Sequence, residues 1–182
     1  MDAKKKRPGP VVQMLRWIGM LILLVFVLFI LLQLTGARLT VDGTQMSPSL
    51  AHGDTVIVNR IAYLFTDPAR FDIVAFPFAY QEDTFYERRV IGLPGETVQI
   101  TGGTIYINGV GLTMREDLTV PEQGGLASKP VTLGSDEYFV LCDNPSGGSD
   151  SREPTVGNVR KQSIIGKVWL RVWPLPRFGL LR

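Results

Sequence analysis

Beyond Arg38 the sequence predicts an all-β domain, carried on a single N-terminal transmembrane helix. Three observations lead there. Short runs rich in Val, Ile, Thr and aromatic residues recur between turn residues, which is the pattern of strands rather than helices. After Arg38 no long stretch repeats its apolar residues at helical spacing. Before it, no charge interrupts the run from Trp17 to Ala37, which as a helix would span ~31 Å, enough for a bilayer core.

The N-terminal run is longer than the apolar region of a cleaved signal peptide. Thr35-Gly36-Ala37 makes only a weak cleavage site, so the run reads as an uncleaved signal anchor over residues 17–37. Trp17 stands where an interfacial aromatic is expected. Residues 1–16 hold Lys4, Lys5, Lys6, Arg7 and Arg16 against Asp2 alone. That basic tail is expected to stay in the cytoplasm, placing residues 38–182 outside the plasma membrane.

In the exported part, Thr55–Val58, Asp72–Phe76 and Phe85–Ile91 are strand-length runs. Leu93-Pro94-Gly95 is a turn, because Pro presets φ and Gly admits positive φ. Thr97–Ile100 is expected to pair with Thr104–Ile107 across Gly102-Gly103, and Asn108-Gly109 marks a second hairpin. Glu137–Leu141 and Ile164–Trp173 complete the strands. Met114–Lys129 lacks periodicity and holds Pro121, Gly124 and Gly125, so it reads as a long loop.

Composition narrows the function. The chain has 182 residues, 45% hydrophobic and 20% charged, which excludes a disordered chain. One cysteine and one histidine exclude a multi-cysteine zinc site and a two-histidine metal motif. No metal or cofactor is expected. The net charge of +2 conceals a basic tail and a slightly acidic body. That distribution speaks against a nucleic-acid partner.

Three segments stand out: Val41-Asp42-Gly43-Thr44-Gln45-Met46-Ser47-Pro48-Ser49-Leu50; Tyr86-Glu87-Arg88-Arg89-Val90-Ile91-Gly92-Leu93-Pro94-Gly95-Glu96; and Asp143-Asn144-Pro145-Ser146-Gly147-Gly148-Ser149-Asp150-Ser151-Arg152. Their order and spacing resemble the type I signal peptidases, membrane-bound Ser/Lys endopeptidases that release exported proteins. That family carries Gly-x-Ser-Met-x-Pro-Thr-Leu, Lys-Arg-x-x-Gly-x-Pro-Gly and Gly-Asp-Asn-x-x-x-Ser-x-Asp-Ser-Arg. The closing run Ile165 to Trp173-Pro174 resembles the family's last strand. The resemblance implies a signal peptidase I-like β-fold, signal peptides or exported preproteins as ligands, and a bilayer as host.

The same resemblance exposes three substitutions. The family's serine nucleophile precedes the Met matched by Met46, and that position is Gln45, whose amide cannot attack a peptide carbonyl. The lysine base precedes the Arg matched by Arg89, and that position is Arg88, whose guanidinium stays protonated. The serine that orients the lysine matches Gly148. Cys142 replaces the Gly that opens the third motif. Met46, Pro48, Arg89, Asp143, Asn144, Asp150, Ser151 and Arg152 match the supporting structure, and the resemblance implies that Arg89 and Arg152 pair with Asp150.

No neighbouring residue restores the chemistry. In an extended segment Thr44 faces away from Gln45, and Ser47 lies roughly 6–7 Å further along. His52 reads as a solvated turn residue, Cys142 as a small buried one, and Glu87 points to the sheet face opposite Arg88. Met46 either packs or faces the membrane. The apolar tail Trp173–Leu181 either lies on lipid or closes the base of the domain. Two functions follow. One is a catalytically impaired pseudopeptidase that binds signal peptides or preproteins, alone or with an active paralogue or the secretion machinery. The other is an active serine endopeptidase with an unrecognised nucleophile and base or altered dyad residues.

Overall fold

The computed structural model describes residues 9–77, 84–116 and 118–181, with the side chains of 29–35 left aside. The tail cations Lys4, Lys5, Lys6 and Arg7 lie outside the described residues. The chain divides into two compact units, Met1–Gly36 and Ala37–Arg182.

The described residues of the first unit form one helix, α1 (Pro10–Thr35). It starts earlier than the charge-free run suggests. Pro10 occupies the first helical position, where its missing N–H costs no bond, and the single charge of Arg16 does not interrupt helical geometry. It also ends before Ala37, because Gly36–Thr40 is drawn into a strand. Pro10–Leu28 is long and apolar enough to cross a membrane by length and composition.

The second unit is all-β, as its pattern predicts. Its strands are β1 (Gly36–Thr40), β2 (Thr55–Asn59), β3 (Ile73–Pro77), β4 (Phe85–Gly92), β5 (Thr97–Thr101), β6 (Thr104–Ile107), β7 (Val110–Gly111), β8 (Val131–Thr132), β9 (Glu137–Leu141), β10 (Val159–Arg160), β11 (Gly166–Trp173) and β12 (Gly179–Leu180). Among the described residues they form an eight-stranded sheet, ordered β1-β2-β11-β3-β4-β9-β10 with β12 on β11, and a four-stranded sheet, β7-β6-β5-β8. Both expected hairpins form, pairing Thr101 with Thr104 and Ile107 with Val110. Ile164 and Ile165 fall outside β11, since Ile164 caps the 3-10 turn Lys161–Ser163. The expected loop over 114–129 contains one such turn, Gly125–Ser128. The two-residue strands escaped sequence reasoning because they are too short to show a period.

Three apolar clusters cover both faces of the large sheet. Val41, Met46, Leu50, Val56, Val58, Ile73, Ala75 and Val168 form the first. Ile91, Val98, Ile100, Ile105, Phe139 and Leu141 belong to the second. Val74, Phe76, Val90, Tyr138 and Val140 belong to the third. Each large side chain removed from water contributes on the order of 1.5–3 kcal/mol. Alternation along β3 sends Ile73 and Ala75 to the first cluster and Val74 and Phe76 to the third. Antiparallel register then sets β4: Arg89 stands opposite Ile73, Arg88 opposite Val74 and Glu87 opposite Ala75. Consecutive residues therefore lie on opposite faces.

Candidate functional site

The first motif is a compact loop rather than an extended segment. Val41 N–H donates to Asp54 O and Gly53 N–H to Val41 O, closing its ends. Ser47 N–H donates to Thr44 O (3.1 Å) and Leu50 N–H to Met46 O (2.7 Å). These turns overturn the extended geometry expected for Thr44 and Ser47. They win because they let Met46 and Leu50 both reach the first apolar cluster. Met46 is thus a packing residue. Pro48, next in the loop, is exposed.

Three arginines hold the loop from below, a feature that sequence reasoning missed because its partners are far apart in the chain. Arg171 Nη1 donates to Ser49 O (2.9 Å), Arg177 Nη2 to Pro48 O (3.4 Å) and Arg89 Nη2 to Ser49 Oγ (3.0 Å). Buried Asp54 collects Arg171, Arg177 and the Ala51 N–H. With β12 paired to β11 and Leu181 against the first cluster, the C-terminal tail closes the base of the domain. Trp173, Leu175, Phe178 and Leu180 remain exposed.

The third motif is zipped to the first. Asn144 N–H donates to Gln45 O (2.9 Å) and Asn144 Nδ2 to Thr44 O (3.3 Å). Two glycines permit the approach. A Cβ at Gly147 would stand 2.8 Å from Gln45 Cα, and one at Gly148 would stand 2.5 Å from Gln45 Cγ. On the other side, a Cβ at Gly43 would meet Gln45 Oε1 at 2.3 Å. The Gln45 side chain therefore occupies the space between Gly43 and Gly148.

Arg88 reaches the same loop from β4. It is 2% exposed. Its Nε donates to Ser149 O (2.8 Å) and its Nη1 to Glu87 O (2.7 Å), while the guanidinium carbon lies 4.3 Å from the centre of the Tyr86 ring. Gln45 and Arg88 form no hydrogen bond with each other; they flank Gly148-Ser149.

The supporting residues meet the expectation in part: Arg152 pairs with Asp150, but Arg89 pairs with Asp143. Arg89 forms a bidentate pair with Asp143, with Nε–Oδ1 and Nη2–Oδ2 both at 2.7 Å, and donates Nη1 to Phe71 O. Asp150 is paired with Arg152 (2.9 Å) and also accepts the Cys142 N–H. The correction follows from placement: Arg89 shares its side of the sheet with Ile73, and Asp143 is the carboxylate that reaches it. Ser151 exchanges bonds with Val140 through both its hydroxyl and its N–H.

The titratable groups divide by face as well. Glu87 is 6% exposed, and burial raises its carboxyl above the usual range, with Arg88 opposing and Asp42 reinforcing the shift. Burial pushes the Cys142 thiol up to about 12 against the pull of Arg88, so it is protonated near neutrality. His52 is exposed and accepts the Gly43 N–H. Among the described residues no cluster of three His, Cys, Asp or Glu could hold a metal ion.

The family described as signal peptidase, peptidase S26, matches residues 14–173. A probable signal peptidase I-2 of Synechocystis is 33% identical over 78% of this chain and 65% of its own length. A signal peptidase I of Leptolyngbya laminosa is 38% identical over 78% of this chain and 70% of its own. The chain thus spans about two thirds of the length of these relatives. A crystal structure of a signal peptidase I from Enterococcus faecalis aligns at 32% identity and TM-score 0.44, covering 57% of this chain and 97% of that one. With the family match running from α1 to the end of β11, the chain belongs to the signal peptidase S26 family.

Proposed function

We propose that this chain is a catalytically impaired signal peptidase homologue that binds signal peptides or exported preproteins at the outer face of the plasma membrane. Gln45 and Arg88 stand at the family's nucleophile and base positions, and Gly148 at the position that orients the base. The observation that carries the reading is the fit of Gln45 into the space that a side chain at position 148 would fill. An amide between two glycines and a guanidinium fixed by two carbonyls supply neither a nucleophile nor a neutral base. Binding of an extended apolar peptide by strand addition needs neither.

In this reading residues 1–16 are a cytoplasmic tail, 17–37 the membrane anchor and 38–182 the extracytoplasmic domain. The partners are preproteins, the bilayer and an active paralogue or the secretion machinery. The test is cleavage of a preprotein by the purified full chain in detergent. The wild type yields no product, and the triple variant Gln45→Ser, Arg88→Lys, Gly148→Ser recovers cleavage. A second reading, an active peptidase with altered catalytic residues, is favoured by relatives that are named signal peptidase I. Turnover by the wild type that is lost in Ser47→Ala would establish it.

A further inference from the structure

We propose that Arg88 is a receptor for the free C-terminal carboxylate of a peptide, so that the domain captures a product of peptide-bond hydrolysis. The inference rests on the peptide-binding reading above and names the end of the peptide that is recognised.

The argument begins with what Arg88 lacks. Among the described residues, the other arginines that anchor the site each hold a carboxylate: Arg89 has Asp143, Arg152 has Asp150, and Arg171 and Arg177 share Asp54. Arg88 is as deeply buried as Arg89, yet its partners are two neutral carbonyls and the face of a tyrosine ring. Those contacts orient the guanidinium without neutralising it. A buried cation so placed favours an anion that completes the pair.

The fork also has room for one. A guanidinium carries five N–H donors. Ser149 O takes the Nε proton and Glu87 O one proton of Nη1, which leaves both Nη2 protons and one on Nη1. Among the described residues Nη2 has no protein partner, and no fully enclosed side-chain nitrogen there is left without one, so the Nη2 edge keeps a narrow contact with solvent although Arg88 as a whole is 2% exposed. Two adjacent N–H groups on one edge match the two oxygens of a carboxylate. The edge lies beside Ser149 and Gly148, whose loop is tied to Gln45 of the first motif. With Gln45 read as the family's nucleophile position, the end of a cut chain would lie beside this edge. The class of reaction that supplies this ligand is hydrolysis of a preprotein by an active peptidase.

The experiment uses the full chain in detergent and an N-terminally labelled apolar peptide in two forms, free acid and C-terminal amide, read by fluorescence polarisation. The free acid binds roughly tenfold or more tightly than the amide, the worth of one charge-assisted pair. Arg88→Gln reduces that preference to about twofold or less, and Arg88→Lys keeps part of it. Acetate at the same concentration competes weakly, because it lacks the peptide. Equal binding of acid and amide by the wild type, or a preference that survives Arg88→Gln, overturns the proposal and leaves peptide binding intact. Failure of both forms to bind overturns the peptide-binding reading itself.

Discussion

Arg88 and Arg89 are neighbours on β4, both almost wholly buried, and they live in opposite electrostatic worlds. Arg89 faces the first cluster, where Asp143 meets it with two 2.7 Å bonds and Ser49 and Phe71 take further donors. Arg88 faces the other side, with Ser149 O, Glu87 O and the Tyr86 ring. One guanidinium is part of the frame; the other has no carboxylate ion pair among the described residues. Removing either tests the difference. Arg89→Met strands Asp143 without its counter-charge and should cost about 3–5 kcal/mol. Arg88→Met strands two neutral carbonyls rather than a charge, and should cost about 1–2 kcal/mol. Guanidinium-induced unfolding of the full-length variants in detergent measures both, and equal losses would erase the distinction.

A smaller effect probes how the half without a carboxylate pair came to fit together. Gly148→Ser puts a Cβ 2.5 Å from Gln45 Cγ. That atom is in the middle of the side chain, so relief requires a new rotamer or a shift of the loop, at about 1–3 kcal/mol. In Gln45→Ala the obstructing atom is gone, and Gly148→Ser should then be close to neutral. A double-mutant cycle read by thermal unfolding should show a coupling of about 1–2 kcal/mol. Additive effects would mean that positions 45 and 148 vary independently, and the fit between them would lose its meaning.

Much of this frame is legible in the sequence because it rests on local rules. Val56 and Val58 alternate with half-buried neighbours, and Gly102-Gly103 turns β5 into β6. The proposed site rests on resemblance alone, since Gln45, Arg88 and Gly148 come from three distant segments and no period links them. What remained hidden depends on tertiary placement. The pairing of Arg89 with Asp143 rather than Asp150 is decided by which of two loop carboxylates the fold brings to it. The turn at Ser47 is decided by the shared burial of Met46 and Leu50. The Asp54 clamp joins residues separated by more than half the chain.

The least conspicuous contrast on β4 is the acid between Tyr86 and Arg88. Parity puts Glu87 on the face of Arg89, opposite Ala75, so Arg88 is close along the chain but does not form an ion pair with it. Burial therefore dominates and raises its carboxyl above the usual value of 4.5. The native state then holds the proton more tightly than the unfolded chain does. This contribution to stability is complete below the usual carboxylate range and disappears as pH rises through the raised value. Glu87→Gln removes the titration. Its advantage over the wild type in melting temperature should be small at pH 4, widen as pH rises above the carboxylate range, and level off once Glu87 is ionised in both states. A gap that stays constant with pH would mean that the carboxyl is solvated, and that the two faces of β4 differ in their arginines alone.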